Sequence, residues 1–175
     1  RSLDLVESGV LQRRDISRVG LCGHPEGVGD LGVAAAIDAL ALKVAAAEAG
    51  GLAARVVTQF CFDARATTDY VDELRAAGVR ARLSLGVVGP AAASTLARMA
   101  QRCGVAPPPP SSGGEWLDLY LWRVARPGPS PAVDELHLYP FGGMAATMQW
   151  LAGARGALGL SGDQPVPDML TKPIQ

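Results

Sequence analysis

Two short stretches carry the residue types from which a site can be built. The first reads VGLCGHPEG and delivers His24, Pro25 and Glu26; the second reads VVTQFCFD and delivers Thr58, Gln59 and Asp63. In each, an apolar run breaks into polar residues, the pattern of a buried parallel strand where it opens into an active-site loop. Histidine stacks on a flat ring or donates a hydrogen bond to it, and glutamate orients a neighbour or accepts a substrate proton. The alternative for His24-Pro25-Glu26 is a turn whose polar groups are solvated. Gln59 stands among Val56, Val57, Phe60 and Phe62, where burying its amide costs free energy unless it finds a partner. Donor and acceptor on one group suit the edge of a heterocycle; a bond to the backbone or to water at a strand end would serve equally.

Other candidates are weaker. Lys43 and Lys172 are the only lysines. Lys43, mid-helix among alanines, is either a solvated charge or a cation reaching an anionic group such as phosphate. Tyr139 and Phe141 flank Pro140 at the end of another apolar run, as core or as ligand contacts. His137, between Leu136 and Leu138, reads as a satisfied core histidine. Gly142-Gly143 ahead of a helix is a weak anion-binding signal, and the chain has no GxGxxG or P-loop pattern. Cys22, Cys61 and Cys103 form an odd set without CxxC or Cys/His spacing, so no metal site is expected. Cys22 and Cys61 read as small hydrophobes inside strands, in a reducing compartment, which makes the cytoplasm the expected location. A net charge of −1 with 19% charged residues argues against nucleic-acid and membrane-surface partners, and no apolar run is long enough for a membrane span.

The elements that must position these residues alternate along the chain. Helical spacing of Leu3, Val6, Val10 and Leu11 predicts a helix over 2–12. Strands are predicted over 18–23, 54–60, 80–88 and 135–139. Helices are predicted over 32–48, from 64 to Gly78, over 91–103 with Pro90 in its first turn, over 115–124, and from Met144 to about 158. The run PPPPSSGG over 107–114 is a connector, 127–131 is a loop, and 159–175 is a surface tail. Strict alternation of strands and helices predicts an α/β fold with a parallel sheet. All four strands end in polar or glycine motifs (HPEG, TQFCFD, GVVGP, YPFGG), which suits a TIM barrel, whose loops face one site. Four strands make half of an eight-stranded barrel, and a half leaves edges unpaired. The expectation is that residues 1–158 supply the C-terminal four βα units of a (β/α)8 barrel.

In this order the motifs DLV, DIS, GHPEG, TQFCFD, AGV, GVVGP and ELHLYPFGGM resemble methylenetetrahydrofolate reductases across roughly residues 3–155. TQFCFD is the most specific, close to the family's TQ-aromatic-x-FD signature. The resemblance implies an eight-stranded β/α barrel that reduces 5,10-methylenetetrahydrofolate to 5-methyltetrahydrofolate with NAD(P)H, usually through FAD, in one-carbon metabolism and methionine biosynthesis. It implies that His24 stands where the family has an aromatic residue or tyrosine beside the flavin, and that Lys43 is a flavin-side basic residue. Asp38 is the nearest match to an acidic residue facing the ribityl chain, and Glu26 falls on the same cofactor side. Gln59 matches the glutamine that contacts nicotinamide or pterin in turn. Tyr139 matches a tyrosine near the folate tail, and Phe62 joins them on the substrate side. The acid glutamate belongs to the first barrel strand, so the partners implied are a folate, the N-terminal half of the barrel and a further copy in a homo-oligomer.

The chain departs from the family in several places, among them a shorter spacing from Asp38 to Lys43 and extra residues in the helix before Gln59. HPEGVGD stands where YPExHPE is common, so Val28-Gly29 replaces the second His-Pro pair; YPFGG stands where YTLNR carries a folate-contacting arginine. Two alternatives therefore stay open: a flavin-independent reductase with direct hydride transfer from NADH, and a non-catalytic folate-binding or subunit-interaction module.

Overall fold

The computed structural model describes residues 2–109, 120, 124 and 133–157. The expected loop over 127–131 and tail over 159–175 lie outside the described residues, as do the expected helix over 115–124, apart from Tyr120 and Val124, and the connector beyond Pro109.

Four apolar runs form strands: β1 (Arg18–Gly23), β2 (Ala53–Thr58), β3 (Arg82–Val88) and β4 (Glu135–Tyr139). All pair in parallel, in the order β1-β2-β3-β4. Helix α1 (Ser2–Glu7) precedes the sheet, and α2 (Val33–Ala49), α3 (Ala64–Ala76), α4 (Ala93–Cys103) and α5 (Met144–Ala157) follow the four strands in turn. The expected alternation is present, and each new strand is added at the same edge.

Strand parity divides the sheet into two faces. Leu21, Val56 and Leu83 are register partners. They pack on Ile37, Leu40 and Val44 of α2 and on Tyr70, Val71 and Leu74 of α3. Farther along, Leu85 and Val87 meet Tyr120, Leu138 and Trp150 of α5. The core spacing in α2 (Ile37, Leu40, Val44, Ala47) follows the helical period, and alanines, the best helix formers, fill the remaining turns. In α3 the cap is Asp63, whose carboxylate accepts from the Arg65 and Ala66 N–H groups.

The opposite face is polar at its N-terminal end. Arg55 donates from Nε to Ser84 Oγ at 2.7 Å, Ser84 donates to Glu135, and the Arg55 guanidinium pairs with the same carboxylate. Arg82 stands 3.8 Å from it. Arg55 is in register with Gly20, so Arg18, two residues earlier on β1, shares this face. Arg55 and Arg82 therefore reach one glutamate, and Arg18 lies on the same face.

Local bonds explain where the elements differ from expectation. The first helix stops at Glu7 because Ser8 Oγ donates to Leu5 O and accepts from Val10 N–H, competing with the helical ladder; a 3-10 turn follows at Gln12–Arg14. β3 begins at Arg82 instead of Arg80. Ahead of it, Arg75 donates to Val79 O and Ala81 O, and Arg80 donates to Arg75 O. α4 begins at Ala93, so Pro90 lies in the loop before it. Cys22 is exposed and not packed, because its parity places it opposite Leu21; Cys61 is buried as expected. His137 is also no core residue: it lies half-buried on the face opposite Leu138.

No helix among the described residues is long and apolar enough to cross a membrane. Among the same residues no cluster of three His, Cys, Asp or Glu could hold a metal ion.

Leu83 is fully buried in the centre of the sheet, whereas Leu42 on α2 is 64% exposed. Leu83→Ala is expected to lower the unfolding free energy by about 3 kcal/mol, and Leu42→Ala to change it by less than about 0.5 kcal/mol. Urea titration of each variant checks both.

Candidate functional site

β2 ends at Thr58, two residues before its expected end, and this places the site. Backbone pairing with β3 runs only to Val57 and Ser84. Beyond it, the Thr58 hydroxyl accepts the Gly86 N–H at 2.8 Å in place of a ladder carbonyl. The Thr58 carbonyl accepts the Tyr139 hydroxyl at 3.1 Å. Gly86 is required there, since a Cβ would collide with the Thr58 carbonyl and the Tyr139 ring. Thr58, counted from sequence among the polar rim groups, is therefore wholly buried and structural.

On its other side the chain stays attached to β1. Gly23 and Thr58 are the last register pair, and Gln59 N–H donates to Gly23 O at 2.8 Å. His24 and Gln59 thus emerge side by side. They line one cleft with Pro25, Glu26, Gly27 and Phe60, and its third wall is the end of α4: Cys103, Gly104 and Val105. The cleft holds about 210 Å³ of empty space, part of it open to solvent.

The Gln59 amide divides its two ends. Its Oε1 accepts the Phe60 N–H at 3.1 Å; the N–H demands an acceptor, which assigns the oxygen to that side and leaves the Nε2 group to the cleft. His24 is half-buried, and its pKa is lowered by burial first and by the Lys43 ammonium second. The imidazole is neutral at pH 7, able to stack or to give and take a hydrogen bond. Lys43 on α2 therefore acts electrostatically on the cleft. Asp38 is exposed on the same helix and forms no ion pair among the described residues.

Glu26 is fully engaged by protein. Its Oε2 accepts the Ala106 N–H at 2.8 Å and its Oε1 lies 3.4 Å from Cys61 Sγ. Burial pushes the Cys61 thiol up to about 12, so it stays protonated, with its one proton placed for either Glu26 Oε1 or the Asp63 carbonyl, each 3.4 Å from Sγ. Beneath the loop, Tyr70 is buried with its hydroxyl against Gly23, where any side chain would collide with it. Burial pushes this phenol up to about 12, and the His24 backbone opposes the shift.

The two substrate-side aromatics sit behind the cleft. Phe60, Phe62 and Val88 form a cluster with Leu96 and Ala100 of α4; Phe62 meets Phe60 edge-on at 5.6 Å. Tyr139 reaches Phe60 at 5.8 Å, stacks on Phe141 at 5.7 Å and takes His137 edge-on at 4.8 Å. Burial, then the nearby Cys22 and Cys103 thiols, raises the Tyr139 pKa. Gly142 is explained by packing, as a Cβ there would collide with the Pro90 carbonyl.

His24, Glu26 and Gln59 are thus brought together, Lys43 acts on them from α2, and Phe62, Tyr139 and Asp38 do not line the cleft. The wall from Cys103 to Val105 was not legible in sequence. Gly104, left-handed at φ 66°, marks where α4 stops, but no local pattern tells that this end lies against β1. No protein-family model matches the chain.

The histidines generate a pH prediction. His137, like His24, has a lowered pKa, from burial and then Arg55, with Glu135 opposing. The unfolded chain takes up protons near the ordinary value of 6.5 that the folded chain resists. Their stabilising contribution is therefore complete above that value and is lost as pH falls through the lowered folded pKa values. The urea midpoint should drop between about pH 7.5 and about pH 5.5, and the double variant His24→Gln, His137→Gln should show a smaller drop. An unchanged pH dependence in that variant contradicts the assignment.

Proposed function

We propose that this chain supplies the C-terminal four βα units of a (β/α)8 barrel in a methylenetetrahydrofolate reductase-like oxidoreductase. Its reaction is reduction of the methylene group of 5,10-methylenetetrahydrofolate to methyl with NAD(P)H. The observation that carries this reading is the placement of His24 and Gln59. They leave adjacent parallel strands at the same end and line one cleft, in which Gln59 Nε2 has no partner among the described residues.

The architecture supports the barrel. Strand order follows chain order without reversal, unlike a doubly wound sheet, which reverses at a switch point. β1 and β4 each have one unpaired edge among the described residues. A barrel would close those edges with further strands. The arginines Arg18, Arg55 and Arg82 at the N-terminal end of the opposite face of the sheet would then face acidic residues of the other half, the half to which the resemblance assigns the catalytic acid.

The residues present fit a flavin on one side. His24 offers a neutral ring face over a floor closed by the buried Phe60, and Lys43, without a carboxylate partner among the described residues, would hold a phosphate. When bound, FAD supplies two-electron carrier chemistry between NAD(P)H and the folate. Around it, His24 stacks as a neutral ring, Gln59 orients a heterocycle edge through Nε2, and Phe60 excludes water. The protonated Cys61 thiol takes no nucleophilic part.

One observation favours the flavin-independent reading. Where the family has its second His-Pro pair, Val28 and Leu31 close a short bridge, both exposed, and offer no polar side chain. The absorbance spectrum of the purified full-length protein separates the two: a flavin band that survives gel filtration supports FAD, and its absence supports direct transfer from NADH. In a protein carrying the complete barrel, Gln59→Ala is expected to lower kcat/KM for the folate by about tenfold or more, the equivalent of one lost hydrogen bond in a dry site. Unchanged kinetics towards folate and NADH would remove the role assigned to Gln59.

A further inference from the structure

The carboxylate of Glu26 joins three segments that are far apart in the chain. It stands in the loop after β1, accepts from Ala106, 80 residues away, and from Cys61, 35 residues away. One oxygen takes a backbone N–H, and the other lies 3.4 Å from a buried thiol that stands equally close to the Asp63 carbonyl. The other backbone bonds at the end of α4 are internal to it: Gly104 N–H to Gln101 O and Val105 N–H to Ala100 O. Among the described residues the Ala106–Glu26 bond is the only hydrogen bond that ties 103–109 to the strand loops. Val105 adds apolar contact with the Phe60 cluster. The wall formed by Cys103, Gly104 and Val105 extends from the packed α4 residues Leu96, Met99 and Ala100, and beyond them it is tied over His24 and Gln59 by the Ala106 bond and Val105.

The cleft closed in this way is small. It has room for about one water molecule, whereas small-molecule sites begin at roughly 300 Å³. A flat ring system enters only if this wall moves outward, and moving it breaks the Ala106 bond.

We infer that Glu26 is a positioning residue, a latch that holds the end of α4 as the movable wall of the His24–Gln59 cleft. This rests on the reading of that cleft as the ligand site. A carboxylate serves the latch better than a neutral acceptor, because a bond to a charged group is about twice as strong.

Amide hydrogen exchange tests the latch without any ligand. In Glu26→Ala, exchange at Ala106 should accelerate by roughly tenfold to a hundredfold, the range for losing a bond to a charged acceptor, while Val56 in the sheet keeps its wild-type rate. Glu26→Gln keeps the shape and one acceptor without the charge. It should give an intermediate acceleration, and it carries the test if the alanine variant does not fold. The latch is overturned if Ala106 exchanges at the wild-type rate in these variants, or if Val56 accelerates by the same factor as Ala106, which marks a general loss of stability. Titration of both proteins with riboflavin separates this result from the functional reading. Local acceleration at Ala106 with no riboflavin binding by either protein keeps the latch and removes the flavin assignment. Local acceleration with faster riboflavin dissociation from Glu26→Ala supports both.

Discussion

The structure turns on Thr58, where the second strand stops being a strand. Its hydroxyl takes the Gly86 N–H that a backbone carbonyl would otherwise take, and its own carbonyl takes the Tyr139 hydroxyl. Three strands are joined at that point by two hydrogen bonds to one residue, the kind of pairing a buried rim requires. Because β3 is satisfied by a side chain, the following backbone can leave it. Because β1 still accepts from Gln59 N–H, the departing chain stays beside His24. The cleft follows from these two facts together.

Burial then decides the chemistry that the cleft can offer. His24 is kept neutral, the Cys61 thiol is kept protonated, and Glu26 spends both oxygens on the fold. What remains towards the cleft is one amide nitrogen and an imidazole above the buried Phe60, with a lysine acting from one side. Such a surface orients a flat, partly polar ligand more readily than it attacks one. A reaction at this site would draw its electrons from bound molecules, and the protein would supply position and the exclusion of water.

Much of the fold was legible because its signals are local. β1 and β4 match their expected bounds, and the apolar spacing of α2 and α3 is directly visible in sequence. The misplaced ends have tertiary or side-chain causes: Ser8 ending α1, the Arg75 guanidinium delaying β3, and Gly86 ending β2 through Thr58. His24 and Gln59 could be paired in advance because consecutive parallel strands usually neighbour each other. The structural duties of Thr58 and Asp63 were hidden, since a polar residue after a strand looks the same as a ligand, a cap or a ladder substitute. Cys22 and His137 were misjudged for a related reason: an apolar strand has two faces, and only the helices show which one is core.

The central claim is that Gln59 presents its free amide to a heterocycle held against His24. The most direct measurement follows the Gln59 side-chain NH2 signals by NMR while NADH, and separately a reduced folate, is added. The account predicts that these signals and those of the His24 ring shift together and saturate at one ligand concentration. Saturable shifts elsewhere on the chain, with the Gln59 and His24 signals unmoved, would contradict it.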